Sequence, residues 1–264
     1  MCASSNRRSA PPSDRPVPLA QIVDEARRLA SAALQQDVPI RLLGGLAIRI
    51  SVDGPFHPAL AREYKDIDFV TLKNTGQAAT GLFTELGYEP DREFNAFNGG
   101  TRLLFHDPAN ARQLDVFVGA FRMCHRIPID GRISVDPMTL PLAELLLTKL
   151  QVVDLNEKDL RDIVALLHHH EVADRDGQAI NAQRVAKLCS DDWGLWRTCK
   201  MSFARVREGL ELYELTGEER AAVESRLDRL WERIDTEPKS RGWRLRDRIG
   251  DRKRWYEQPE EVEA

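Results

Sequence analysis

Apolar positions recur at helical spacing in PLAQIVDEARRLASAALQQ, where Leu19, Ile22, Val23, Ala26, Leu29 and Ala30 share one face and predict an amphipathic helix. The period then changes. VPIRLLGG is a short apolar run closed by two glycines, which predicts a buried strand turning sharply into a helix that begins LAIRISV. DGPFHPALAREY, with two prolines and a glycine, reads as a loop leading into a strand, KDIDFVTL. TGQAATGLFTELGY predicts a helix that stops at Gly87. REFNAFNGGTRLLFHD reads as a hairpin turning at Asn98-Gly99-Gly100, and RQLDVFVGAF as a further strand. From residue 138 the pattern is helical. LPLAELLLTKLQVV and EKDLRDIVALLHHH are joined by the short polar DLN, and further helices are predicted near 180–190, 195–212, 217–235 and 239–250. The outline is a flexible arm over 1–16, a mixed α/β unit over 17–137, an all-helical unit over 138–254 and an acidic tail over 255–264.

Composition narrows this picture more than it enlarges it. The chain of 264 residues is 42% hydrophobic and 30% charged, enough to bury a proper core. No stretch reaches the roughly 18–20 apolar residues of a membrane span, and the start MCASSNRRSAPPSDRP lacks the apolar centre of a signal peptide, so a cytoplasmic protein is expected. Cys2, Cys124, Cys189 and Cys199 form no CxxC pair and read as reduced packing thiols. A net charge of -4 argues against a protein that coats nucleic acid through its overall field, so any such contact must be regional.

The candidate chemistry starts in EYKDIDFV. Strand side chains alternate faces, so Asp66 and Asp68 project together while Ile67 and Phe69 face the packed side. LDVFV repeats the signature with one acid, Asp115. With its strand beside the first, at about 4.8 Å, three carboxylates converge. Their repulsion, roughly 3 kcal/mol per pair at about 5 Å and an effective dielectric near 20, calls for compensation by one or two divalent cations. Hard oxygen ligands without a nearby His or Cys favour magnesium or manganese over zinc. Gly44 and Gly45, at the strand-to-helix turn, let backbone N–H groups approach a phosphate.

The order of glycine pair, D-x-D strand, single-Asp strand and helical region resembles the nucleotidyltransferase fold shared by DNA polymerase beta, antibiotic nucleotidyltransferases and AbiEii-type toxins. The resemblance covers residues 38–166 and implies an α/β (α+β) fold with a nucleotidyltransferase-type mixed sheet flanked by helices. It implies that Gly44 and Gly45 contact the triphosphate, that Asp66 and Asp68 bind Mg2+ or Mn2+, and that Asp115 binds the second metal or acts as base. The implied reaction is attack of a hydroxyl on the α-phosphate of an NTP such as ATP or CTP, with pyrophosphate leaving. In toxin-like relatives a lysine-bearing helix precedes a KD-x-x-D segment. LLLTKLQVVDLNEKDLRDI places Lys149, Lys158, Asp159 and Asp162 there, with Lys149 as triphosphate contact and Asp159 as its organiser. The implied acceptor is an RNA end, as in toxins that have an antitoxin partner, or a small hydroxylated molecule such as an aminoglycoside. Leu46, where many relatives carry serine near the glycines, keeps open a non-catalytic nucleotide-binding protein. The longer gap between Gly45 and Asp66 holds Phe56, His57 and Arg62 beside the pocket.

Several motifs have blander readings. Lys149 reads equally as a snorkelling lysine whose stem covers apolar surface, and Lys158 and Asp162 as an i,i+4 surface pair. His168, His169 and His170 point in different directions on a helix and read as positive charge favoured at its C-terminus, not as joint metal ligands. Trp193 and Trp196 read as core packing. RGWRLRDRIGDRKRWYE either grips RNA phosphates and stacks bases or forms a solvated helix with packed aromatics.

Overall fold

The computed structural model describes residues 16–258; nearly all of the expected arm, and residues 259–264 of the expected acidic tail, lie outside this range. The α/β half runs α1 (Ile22–Gln35), β1 (Ile40–Leu43), α2 (Gly44–Ile50), β2 (Ile67–Thr71), α3 (Gly76–Glu85), β3 (Glu89–Pro90), α4 (Arg92–Asn98), β4 (Arg102–Asp107) and β5 (Arg112–Val118). A small hairpin, β6 (Ala120–Arg122) and β7 (Arg126–Pro128), follows. The five main strands form one mixed sheet in the order β1-β2-β5-β4-β3, with β2 and β5 parallel and the other pairs antiparallel. Residues 138–140 then return beside β1, where Leu42 bonds to Met138 and Leu140 through the backbone.

One face of this sheet is apolar because alternate residues of β2 and β4 are. Phe69 and Phe105 both meet Phe83 of α3, at 5.2 and 5.3 Å between ring centroids. Tyr88 closes the same face and donates its hydroxyl to Glu25 of α1 at 2.9 Å, so α1 and α3 both cover it. The other face carries the acids.

The expected hairpin at Asn98-Gly99-Gly100 is corrected: its first arm is helix α4. Asp91 caps that helix by accepting from the Phe94 N–H at 2.9 Å. The Asn95 amide then bonds both the Leu104 carbonyl and its N–H, taking the place of a strand partner. The hairpin of this region is β4–β5, turning through Asp107–Arg112.

The helical half comprises α5 (Leu142–Leu150), α6 (Glu157–His169), α7 (Ala182–Asp191), α8 (Trp193–Gly209), α9 (Gly217–Thr236) and α10 (Arg241–Asp247), with a short parallel pair, β8 (Glu171–Ala173) and β9 (Ala179–Asn181), ahead of α7. LAELLLTKL is apolar around its whole circumference, and α5 is accordingly buried on nearly all sides. Its two charges are therefore paired. Glu144, fully buried, accepts from Arg132 at 2.8 and 2.9 Å and from Arg184 at 2.7 Å, fastening α5 to α7 and to the segment after β7. Lys149 belongs to the site described below.

The tail aromatics are spent on packing: Trp243 of α10 meets Trp196 edge-on at 5.1 Å, and Trp255 meets Trp193 at 6.2 Å. Cys124, Cys189 and Cys199 are free and buried. No helix among the described residues is long and apolar enough to cross a membrane. Glu144→Ala takes from Arg184 its one carboxylate partner among the described residues, while Arg132 keeps Asp176, so the substitution is expected to cost about 1.5–3 kcal/mol of stability, read by urea unfolding.

Candidate functional site

β1 ends at Leu43 because Gly44 takes a positive φ of 73°, a conformation that starts α2 and that side chains rarely adopt. The register pairs Leu43 with Asp68, which brings the Asp68 carboxylate against this turn. A Cβ on Gly44 would lie 2.4 Å from Asp68 Oδ2, and one on Gly45 would lie 1.9 Å from Arg62 Nη2. Both glycines therefore make room for charged side chains of this chain.

Parallel pairing of β2 with β5 sets Asp68 directly beside Asp115. Asp66 precedes β2 by one residue and is exposed. Among the described residues the three carboxylates do not close to within 4.8 Å of one another. Asp115 is tied to Arg102 of β4, whose Nε lies 2.7 Å from Asp115 Oδ1 and whose guanidinium sits over the Phe117 ring. Asp68 has no such partner among the described residues. Burial, followed by the Asp115 charge, pushes the Asp68 carboxyl up to about 7. Loss of surrounding water and the Asp115 charge also raise Asp66, against the opposing pull of Lys158.

Lys149 is not a snorkelling lysine. Its ammonium lies 2.9 Å from Asp159 Oδ1 and 3.0 Å from Asp162 Oδ2, both on α6. Burial alone would lower Lys149, but Asp162 and then Asp159 outweigh it and hold the ammonium above its ordinary range. Arg62 completes the network through two bonds to Asp162, at 2.9 and 2.8 Å, and lies over the Tyr64 ring at 4.5 Å. Burial would raise Asp162, yet Lys149 and Arg62 hold it below its ordinary value. The expected Lys158–Asp162 surface pair is thus replaced: Asp162 turns inward to Arg62 and Lys149, while Lys158 is near enough to Asp66 to favour its charge. Lys149 also lies close enough to Asp68 to favour its charge.

The fold accordingly gathers Gly44, Gly45, Asp68, Asp115, Lys149 and Asp159 around one corner, with Asp66 at its rim. No family model matches the chain, and no curated protein does. Among solved structures it is similar to an antigenic nucleotidyltransferase-like protein from Paracoccidioides brasiliensis, at 15% identity and a TM-score of 0.39, over 86% of this chain and 98% of that one.

Arg62 was legible as a residue bordering the pocket, but its bond to Asp162, 100 positions away, was not. Arg102 and Tyr64 carry no sequence signal, since nothing local distinguishes one arginine among 38 basic residues. A cavity of about 550 Å³, lined by Lys73, Gln77, Thr80, Arg92 and Asn95, also touches Leu103, which alternation places on the opposite face of the sheet from Asp115.

The electrostatics fix a sign. Asp68 titrates near 4 in an unfolded chain and near 7 in the fold, so its ionisation costs stability that is fully present below pH 4 and lost as pH rises to 7. Asp68→Asn is expected to raise the Tm of the metal-free protein above pH 7 by a few degrees and to leave it nearly unchanged at pH 4, as read by thermal unfolding across that range.

Proposed function

We propose that the chain is a divalent-metal-dependent nucleotidyltransferase, moving a nucleoside monophosphate from an NTP to a hydroxyl of an RNA end. One observation carries this reading: Asp68 and Asp115 stand side by side on the parallel strands β2 and β5, against the glycine turn. The donor set suits magnesium or manganese. It offers carboxylate oxygens, one of which is held by burial and a neighbouring charge in a state that a cation would relieve. When bound, such an ion supplies positive charge where negative charge develops on the attacking and leaving oxygens.

The chain's own residues take the remaining roles. Asp68 and Asp115 hold the ion, with Asp66 reaching it from the rim. Arg102 fixes the Asp115 carboxylate by a direct bond, as a positioning residue. An ammonium has three donors, and Lys149 commits two of them to Asp159 and Asp162, leaving one for a phosphate oxygen. Asp159 and Asp162 thereby aim Lys149. Arg62, lying on Gly45, brings a second cation to the turn where Gly44 and Gly45 would face the triphosphate.

An RNA acceptor is supported by the surface of α10 and the turn after it. Arg241, Arg244, Arg248 and Arg252 are exposed there, with no carboxylate partner among the described residues. Trp243 and Trp255 are packed, so this surface offers phosphate contacts and not base stacking.

Purified protein with total tRNA, magnesium and each labelled NTP in turn is expected to incorporate label, and Asp68→Asn or Asp115→Asn to lower incorporation about 10³-fold. No Asp68-dependent incorporation with any nucleotide, into RNA or into hydroxylated small molecules, overturns the reading. Label appearing in small molecules alone retains the transfer and removes the RNA acceptor. Arg244→Glu with Arg248→Glu is expected to raise KM for RNA about tenfold, leave KM for the NTP unchanged, and flatten the salt dependence.

A further inference from the structure

Loop and helices meet a second time, away from the acids. His57 lies in the connection between α2 and β2, His168 in the last turn of α6, and Glu219 in the first turn of α9. Among the described residues these three form the one group of potential ligand atoms lying within 4.8 Å of one another. We propose that they constitute a metal site for a borderline transition-metal cation, of which zinc is the type, and that the bound ion clamps this loop to both helices.

The distances carry the proposal. His57 Nε2 lies 3.4 Å and His168 Nε2 3.3 Å from the same oxygen, Glu219 Oε1. Charge-assisted N–H···O bonds settle near about 2.7–2.9 Å. A tetrahedron built on metal–ligand bonds of about 2.0–2.1 Å has edges of about 3.3–3.4 Å, matching the two separations to Glu219 Oε1, and the third edge, between the two histidines, lies within 4.8 Å. The cluster is otherwise poorly satisfied, because Nδ1 of both imidazoles is buried without a partner among the described residues.

The carboxylate is pre-oriented. Its other oxygen, Oε2, accepts from the Thr216 N–H at 2.8 Å and from the Thr216 hydroxyl at 2.9 Å in a capping box, which turns Oε1 toward the rings. The loop is held too: the His57 N–H donates to His169 Nε2 at 3.2 Å, and Phe56 stacks on His169 at 4.9 Å. The three ligand side chains are 15–30% exposed, so an ion has access and a fourth position opens to water.

Two imidazoles and one carboxylate favour zinc, cobalt or nickel over magnesium, so this site is chemically separable from the acid pair. Its consequence is mechanical. Six residues along α6, about 9 Å, separate His168 from Asp162, and five along the loop separate His57 from Arg62. Arg161 bonds the Ala61 carbonyl between them. The loop is thus strapped along α6, and a cation at His57 secures the strap at the end opposite Arg62.

Of the histidines expected as positive charge at a helix end, His169 and His170 do not supply it. The three rings do diverge: His168 turns to Glu219, His169 to the His57 backbone and His170 to the Ser51 hydroxyl. Burial pushes both His169 and His170 down to about 4, so neither is charged at neutral pH.

The test uses the full chain without an affinity tag, stripped by chelator, then titrated with Zn2+ by calorimetry and with Co2+ by absorption, in excess magnesium. One Zn2+ per chain is expected, with a Co2+ spectrum of tetrahedral intensity. Zinc at about 100 times its Kd should raise the Tm by about 5–10 °C. His57→Ala and Glu219→Gln should each weaken zinc at least tenfold; glutamine keeps the capping box, and both variants should match the wild type in metal-free Tm. Absence of stoichiometric zinc binding, or binding that neither substitution alters, overturns the proposal. Nucleotide transfer need not be measured, so this outcome is independent of the proposed activity.

Discussion

The ion network of Arg62, Asp162, Lys149 and Asp159 is the contact on which the two halves of the molecule depend. A helix enclosed like α5 tolerates a lysine only where carboxylates meet it, and α6 supplies two within 3.0 Å. One of them, Asp162, is gripped by Arg62 from the connection between α2 and β2. The helical half is thereby bound to the glycine turn by charges that neutralise one another in pairs. Since each member is mostly buried, loss of any one leaves the remaining three with an unbalanced charge.

That arrangement sets the terms for the acids beside it. Two carboxylates on adjacent parallel strands repel by roughly 3 kcal/mol at about 5 Å and an effective dielectric near 20. The fold relieves this unequally. Asp115 receives Arg102 directly, whereas Asp68 is influenced by Lys149 only at a distance and keeps a raised carboxyl value. The cation proposed for this site would relieve that imbalance, and on that proposal stability and binding are coupled through Asp68.

Much of this was legible along the chain. Alternation in IDFVT and LDVFV gave both key strands, and the glycine pair marked the turn between β1 and α2. Lys149 among leucines pointed to a cation in need of an anionic partner, and the structure pairs it with Asp159 and Asp162. Other features were misread for physical reasons. REFNAFN alternates like a strand, but the Asp91 cap and the amide of Asn95 settle it as helix α4, through bonds to a strand that comes later. Asp162 has the right spacing for Lys158, yet a deeper pair with Arg62 and Lys149 claims it.

By itself the sequence determined the period of each major element, the face on which the acids lie, and the need of the buried lysine for a counter-charge. These follow from local stereochemistry and from the cost of desolvating charge. Only the tertiary structure decided that β5 lies beside β2, that Arg102 takes Asp115, and that His57 and Glu219 meet His168. Those contacts join residues 13 to 162 positions apart. Chain spacing does not encode such meetings: they arise when distant elements bury their apolar faces together and bring along whatever polar groups stand at the rim.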